Sequence, residues 1–234
     1  MRNVIMSEWF AELAAVFTKC FIRKNRYQLL LSGIGVTVKV SLLAVIIGVL
    51  LGFVIAICNL SKNKVLKTIG GVYTDIIRGT PSVTQLLIIY FVIFASVDLE
   101  KWIIAAIAFG INSAAYVSEI FRAGILSIDK GQTEAGRSLG LSASQTMTRI
   151  VIPQAIKNVF PALCNEFIVL IKETAIVGYV GIMDIQKAGD FIKSATYEAF
   201  MPLMATAVIY YVLIKLLTSV LKIFENALRK SDVR

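Results

Sequence analysis

Long apolar runs alternate with short polar interruptions along the chain. Residues 40–60, 79–97 and 102–118 carry no charged side chain over 21, 19 and 17 positions. A helix needs about 20 residues to cross the hydrocarbon of a bilayer, so each run is of spanning length or close to it. Two later stretches, 154–178 and 199–222, are broken by single charges but otherwise qualify. The pattern predicts an all-α integral membrane protein with about five transmembrane helices. Near the start, Trp9, Phe10, Leu13, Val16 and Phe17 alternate with polar positions at helical spacing. An interfacial helix over residues 1–28 fits that spacing. A cleaved signal peptide does not, because Glu8 and Glu12 fall inside the stretch and no small-residue cleavage site follows. Residues 29–234 then form one transmembrane domain, and the segment 127–153 is its most polar interruption.

Composition strengthens this reading. The chain is 57% hydrophobic and 17% charged, with mean hydropathy +0.78, more apolar surface than a soluble core could bury. The net charge of +9 sits at the ends of apolar runs rather than on one polar face, which suits lipid headgroups and not nucleic acid. Histidine is absent, and Cys20, Cys58 and Cys164 have no CxxC spacing, so neither a metal site nor a Cys/His pair is expected. No GxxxxGK[ST] phosphate loop occurs, so the chain is not expected to bind ATP itself. Orientation is harder to read. Lys62, Lys64, Lys67, Lys130, Arg137, Arg149, Lys222, Arg229, Lys230 and Arg234 gather on one face, against Lys101, Lys187 and Lys193 on the other. Arg2, Lys19, Arg23, Lys24 and Arg26 nearly cancel that difference, leaving a weak preference for an outside N-terminus.

The interruption has helical punctuation. Asp129 can cap a helix running through Gln132, Glu134 and Arg137 to Leu139. Gly140 stands where a left-handed C-terminal residue belongs, with Leu141 supplying the apolar contact. Ser142 and Gln145 form a capping box for a second helix, which Pro153 is expected to close. The result is a compact helix-turn-helix between the third and fourth spans.

Glu134-Ala135-Gly136, then Gly140, then Ile150-Val151-Ile152-Pro153 resembles the EAA motif of ABC importer membrane subunits. Tyr73 through Pro81, Ala115 through Gly124, Gly131-Gln132 and Lys172-Glu173-Thr174 are similar to the polar amino acid subgroup of that family, the histidine/glutamine/arginine permease type. These matches run from about residue 30 to 185. The resemblance implies a type I ABC importer-like fold whose helix pair is a cytoplasmic coupling element. Gln132, Glu134, Ala135, Gly136, Arg137 and Gly140 would then engage separate ATPase subunits, which bind the ATP. It also implies a second permease subunit, identical or paralogous, and an extracellular or periplasmic amino-acid-binding protein. The chain would be a multi-pass protein of the cell membrane, N-terminus outside and C-terminus cytoplasmic, with no catalysis and no cofactor of its own. One position departs from the motif: Gly136 replaces the family's alanine and is about 1 kcal/mol less helix-favouring.

Charges within the spans are candidates for substrate contact. Glu119, Arg122, Glu166, Lys172, Glu173 and Lys215 would each cost about 2.5 to 3.5 kcal/mol at a bilayer centre, so they must face protein, water or one another. Glu119 and Arg122 can pair along one helix. Asn112, Tyr116 and Glu119, spaced four and three, make a stripe able to meet the ammonium and carboxylate of an amino acid. Glu166, with Asn165 beside it, favours a cationic side chain such as arginine or lysine, with glutamine and histidine also open. Thr80 precedes Pro81, which marks either a kink with free carbonyls or a proline in a first helical turn capped by Thr80. The rival classes are an ion-coupled secondary transporter or channel, which calls for inverted repeats that this chain lacks, and a scaffold, which leaves Glu166 unexplained. A membrane enzyme lacks a nucleophile, a base or a metal cluster.

Overall fold

The computed structural model describes residues 2–229, with side chains from 8 to 227. Among the charges weighed for orientation, the side chains of Arg2 and Arg229, and Lys230 and Arg234 entirely, lie outside the described residues. Helices dominate, and no strand forms among the described residues. The order is α1 (Arg2–Phe17), α2 (Tyr27–Leu60), α3 (Lys64–Arg78), α4 (Ser82–Ile88), α5 (Lys101–Leu126), α6 (Lys130–Ser138), α7 (Ala143–Thr146), α8 (Ile152–Glu173), α9 (Ile185–Thr196) and α10 (Phe200–Arg229). Tyr27–Leu60, Lys101–Leu126 and Phe200–Ala227 are long and apolar enough to cross a membrane. Lys64–Arg78 with Ser82–Ile93 adds a fourth if the bent pair counts as one span. The expected fourth run became α8, which is not among them.

The centre of the fold is the pairing of α2 with α5. Ala44, Gly48, Gly52 and Ala56 recur every fourth residue of α2, and all are buried. A Cβ on Gly52 would lie 2.7 Å from the Val117 side chain, and one on Gly110 would lie 2.6 Å from that of Ile47. Small residues at this spacing let two backbones approach and gain dispersion contacts, which drives helix association where lipid already satisfies apolar surface. Helix α2 begins 13 residues before the charge-free run at Val40. Lys39 does not end it, because its ammonium lies 4.5 Å from the centroid of the Trp102 ring, an attraction between cation and ring face.

The N-terminal segment is docked on the fold through the turns that follow α1. After α1 the chain turns through Thr18–Ile22 and Arg23–Asn25, with Lys24 and Asn25 at positive φ. Cys20 and Phe21 are buried against Leu30, Ala188 and Ile192. Lys19 Nζ meets Glu198 Oε1 at 2.7 Å. Trp9, Phe10 and Phe17 remain exposed.

Of the two readings left open at Thr80-Pro81, the kink is the one found: the chain breaks at Gly79-Thr80-Pro81, and the helices on either side meet at 105°. One expectation for the polar punctuation is corrected. Pro153 does not close the second helix of the interruption. It lies in the first turn of α8, and the helix runs on from α7 through a π turn, Met147–Val151. The widened turn just before it relieves the ring's crowding of the carbonyl one turn back, so the proline is tolerated inside a continuing helix.

The remaining caps are as the sequence reads. Asp129 Oδ1 accepts from the Gly131 N–H at 2.6 Å. Gly140 has φ +83, and the Leu141 N–H reaches the Gly136 carbonyl at 3.2 Å. Both halves of the Ser142–Gln145 capping box are present.

Candidate binding cleft and interhelical hairpin

The C-terminal half of α5, the first two-thirds of α8 and the end of α3 border an open cleft of about 1100 Å³. Tyr116 and Glu119 line it from α5 and Ser127 from just past its end; Lys157, Asn158 and Glu166 from α8; Arg78 from α3. Its polar groups are held in place. The Ser113 hydroxyl donates to Glu166 Oε1 at 2.8 Å, across the α5–α8 contact. Arg122 donates to both carboxylate oxygens of Glu119, with its closest bond at 2.7 Å. The Asn158 amide donates to the Ser127 hydroxyl at 3.0 Å. Arg78 places its guanidinium 5.5 Å from the Tyr116 ring centroid. Carboxylates and cations thus share one water-accessible space, and an ion with two unlike ends can find a partner for each.

The sequence candidates separate here. Tyr116, Glu119 and Glu166 line the cleft, while Thr80, Asn112 and Asn165 are not among its lining residues. Asn112 is buried and donates to Gln85 Oε1 at 2.9 Å. Thr80 donates its hydroxyl to the Ile76 carbonyl at 2.8 Å rather than capping α4. Asn165 is exposed on another side of α8. Sequence reasoning missed Ser113, Arg78, Lys157, Asn158 and Gln85. Gln85 had a readable signal, since an amide inside a charge-free run needs a partner.

The second candidate region is the hairpin of α6, α7 and the π turn. Gln132, Glu134, Ala135, Arg137 and Gly140 are exposed on it. Gly136 is the buried residue of α6. A Cβ there would lie 2.8 Å from Ile150 Cδ1 and from Thr146 Cγ2, so the glycine lets the two arms cross closely. Arg137 ties the turn by donating to the Leu141 carbonyl at 2.7 Å. No group of three His, Cys, Asp or Glu able to hold a metal occurs among the described residues.

Residues 48–230 match the family of binding-protein-dependent transport system inner membrane components. A putative glutamine transport system permease protein of Rickettsia typhi is 43% identical over 199 residues, which cover 84% of this chain and 91% of the relative. An arginine transport system permease protein of Bacillus subtilis is 41% identical over 205 residues, 87% of this chain and 94% of the relative. Among solved structures, an amino acid ABC transporter with histidines superposes with a TM-score of 0.80 at 43% identity, over 88% of this chain and 98% of that one.

Proposed function

Because this chain belongs to the family of binding-protein-dependent transport system inner membrane components, the membrane subunits of ABC importers, we propose that it forms the pathway through which a polar amino acid is taken up. A chain of this family conducts rather than catalyses. Two membrane subunits, identical or paralogous, face each other across the pathway, and residues 29–234 supply this chain's half. The hairpin, through Gln132, Glu134, Ala135, Arg137 and Gly140, docks on separate ATPase subunits that bind and hydrolyse ATP. An amino-acid-binding protein delivers the cargo on the opposite face, so the N-terminus lies outside and the C-terminus inside.

The observation that carries the substrate reading is Glu166, a carboxylate inside α8 held by Ser113 and facing the same cleft as Arg78. Glu166 receives a positive side chain, and Arg78 receives the substrate carboxylate. Tyr116 and Glu119 complete the wall, while Thr80 and Asn112 act from outside the lining and Asn165 has no part in it. Arginine and lysine fit this arrangement best. Glutamine, for which the Rickettsia relative is named, would forgo the ion pair.

The test is reconstitution with the ATPase subunits and binding protein loaded with each amino acid in turn. Arginine and lysine should stimulate hydrolysis most. Glu166→Gln should weaken that response about tenfold, the scale of one charge-assisted hydrogen bond, while the complex still assembles. Undiminished uptake of cationic amino acids by Glu166→Gln would sink the reading.

A further inference from the structure

The bend between α3 and α4 is tied by one side chain. Breaking a helix at Gly79-Thr80-Pro81 frees the last carbonyls of α3, and in an apolar setting free carbonyls are costly. Gln85, buried on α4, takes them up. Its amide nitrogen donates one hydrogen to the Ile77 carbonyl at 2.7 Å and shares the other between the Thr80 hydroxyl at 2.7 Å and the Thr80 carbonyl at 3.1 Å. Thr80 passes its own hydroxyl hydrogen to the Ile76 carbonyl at 2.8 Å. The other end of the Gln85 amide accepts from Asn112 on α5 at 2.9 Å. A second tie, from the Tyr73 hydroxyl to the Ile111 carbonyl at 2.6 Å, joins α3 to the same stretch of α5.

These bonds flank a particular residue. Ile77 and Thr80 lie on either side of Arg78-Gly79, so the Gln85 amide grips the backbone on both sides of the arginine that reaches over Tyr116 into the cleft. Gly79 suits the grip, because a Cβ there would fall 2.7 Å from the Asp75 carbonyl oxygen.

We infer that Gln85, anchored by Asn112, is a latch that sets the angle of the α3–α4 bend and thereby positions Arg78 in the cleft. It is a positioning residue and touches no substrate. An amide serves here because one planar group donates to the freed carbonyls and accepts from α5 at once. A carboxylate could only accept, and an apolar side chain could do neither. Asn112 thus acts on the cleft through Gln85 and not by contact. The link to Arg78 and substrate rests on the cleft being the pathway; the latch itself does not.

The experiment uses the reconstituted importer, so the two can fail separately. Spin labels at Ile69→Cys on α3 and Val92→Cys beyond the bend, both exposed positions, with Cys20, Cys58 and Cys164 replaced by serine, report the angle as a distance distribution. Gln85→Leu and Gln85→Glu should each broaden that distribution and raise the substrate KM about tenfold while leaving the maximal rate within about twofold. Gln85→Asn, which keeps the amide, should fall between them and the parent. Val83→Ala on the same helix controls for general loosening. A raised KM with an unchanged distribution overturns the latch, and so does a Val83→Ala effect as large as that of Gln85→Leu. A broadened distribution with unchanged KM supports the latch and overturns the cleft reading.

Discussion

The hairpin and the α3–α4 bend both interrupt helices and both free backbone groups, but they satisfy them in opposite ways. In the hairpin every repair is made within a few residues along the chain: Asp129 to Gly131, Leu141 to Gly136, Ser142 to Gln145. At the bend the acceptors of Ile77 and Thr80 are filled by Gln85, whose own orientation is fixed by Asn112, 27 residues further on. The hairpin's backbone repairs therefore do not depend on how the spans pack, whereas the bend is correct only if α4 and α5 are correctly placed. On the proposed docking, a preformed hairpin leaves less ordering to be done when its partner binds. The bend instead answers to the spans around it.

The comparison can be broken at either side. The largest effect is expected from Asn112→Leu, which leaves the buried Gln85 oxygen without a donor. It should remove about 1 to 3 kcal/mol of stability, read as a lower unfolding midpoint in detergent, with unchanged amide exchange across residues 130–146. Faster exchange in the hairpin of that variant would show that the two regions are not independent. Next is Gly140→Val, which forces a branched residue to φ +83 at a cost of about 1 to 2 kcal/mol. Exchange should rise around the turn and coupled ATP hydrolysis should fall, while the bend stays as it is. Ser142→Ala should cost about 1 kcal/mol by removing the cap, visible as fraying of the first turn of α7. The smallest effect belongs to Gly136→Ala. The added methyl gains up to about 1 kcal/mol of helix propensity but meets Ile150 and Thr146 side-chain atoms at 2.8 Å. The opposing contributions should leave hairpin exchange nearly unchanged.

The same contrast explains what could be read from the sequence. Caps, a left-handed glycine and a capping box act over three to five residues, so the hairpin was legible residue by residue. Pro153 misled because it reads as a terminator, and only the preceding π turn makes it an opening residue. The charge-free runs at 40–60 and 102–118 located the cores of α2 and α5. The length of α2 was hidden because Lys39 looks like an end until Trp102, 63 residues later, is brought beneath it. In the cleft, Tyr116, Glu119 and Glu166 stood out as polar groups at helical spacing or in mid-span. Arg78 and Ser113 did not, because what recommends them is an aromatic ring and a carboxylate on other helices. The fourfold repeat of Ala44, Gly48, Gly52 and Ala56 was available and would have marked the α2–α5 seam.

The π turn at Met147–Val151 has a mechanical consequence. From Ala143 to Glu173 the chain never leaves helical structure, so the capping box at Ser142 and the carboxylate at Glu166 lie on one rod, about 35 Å apart at 1.5 Å per residue. The rod has two soft joints, the π turn near the hairpin and Pro161 inside α8. A push or twist applied to the hairpin therefore reaches Glu166 without crossing a loop, and the stiffness of those two joints sets how much of it arrives.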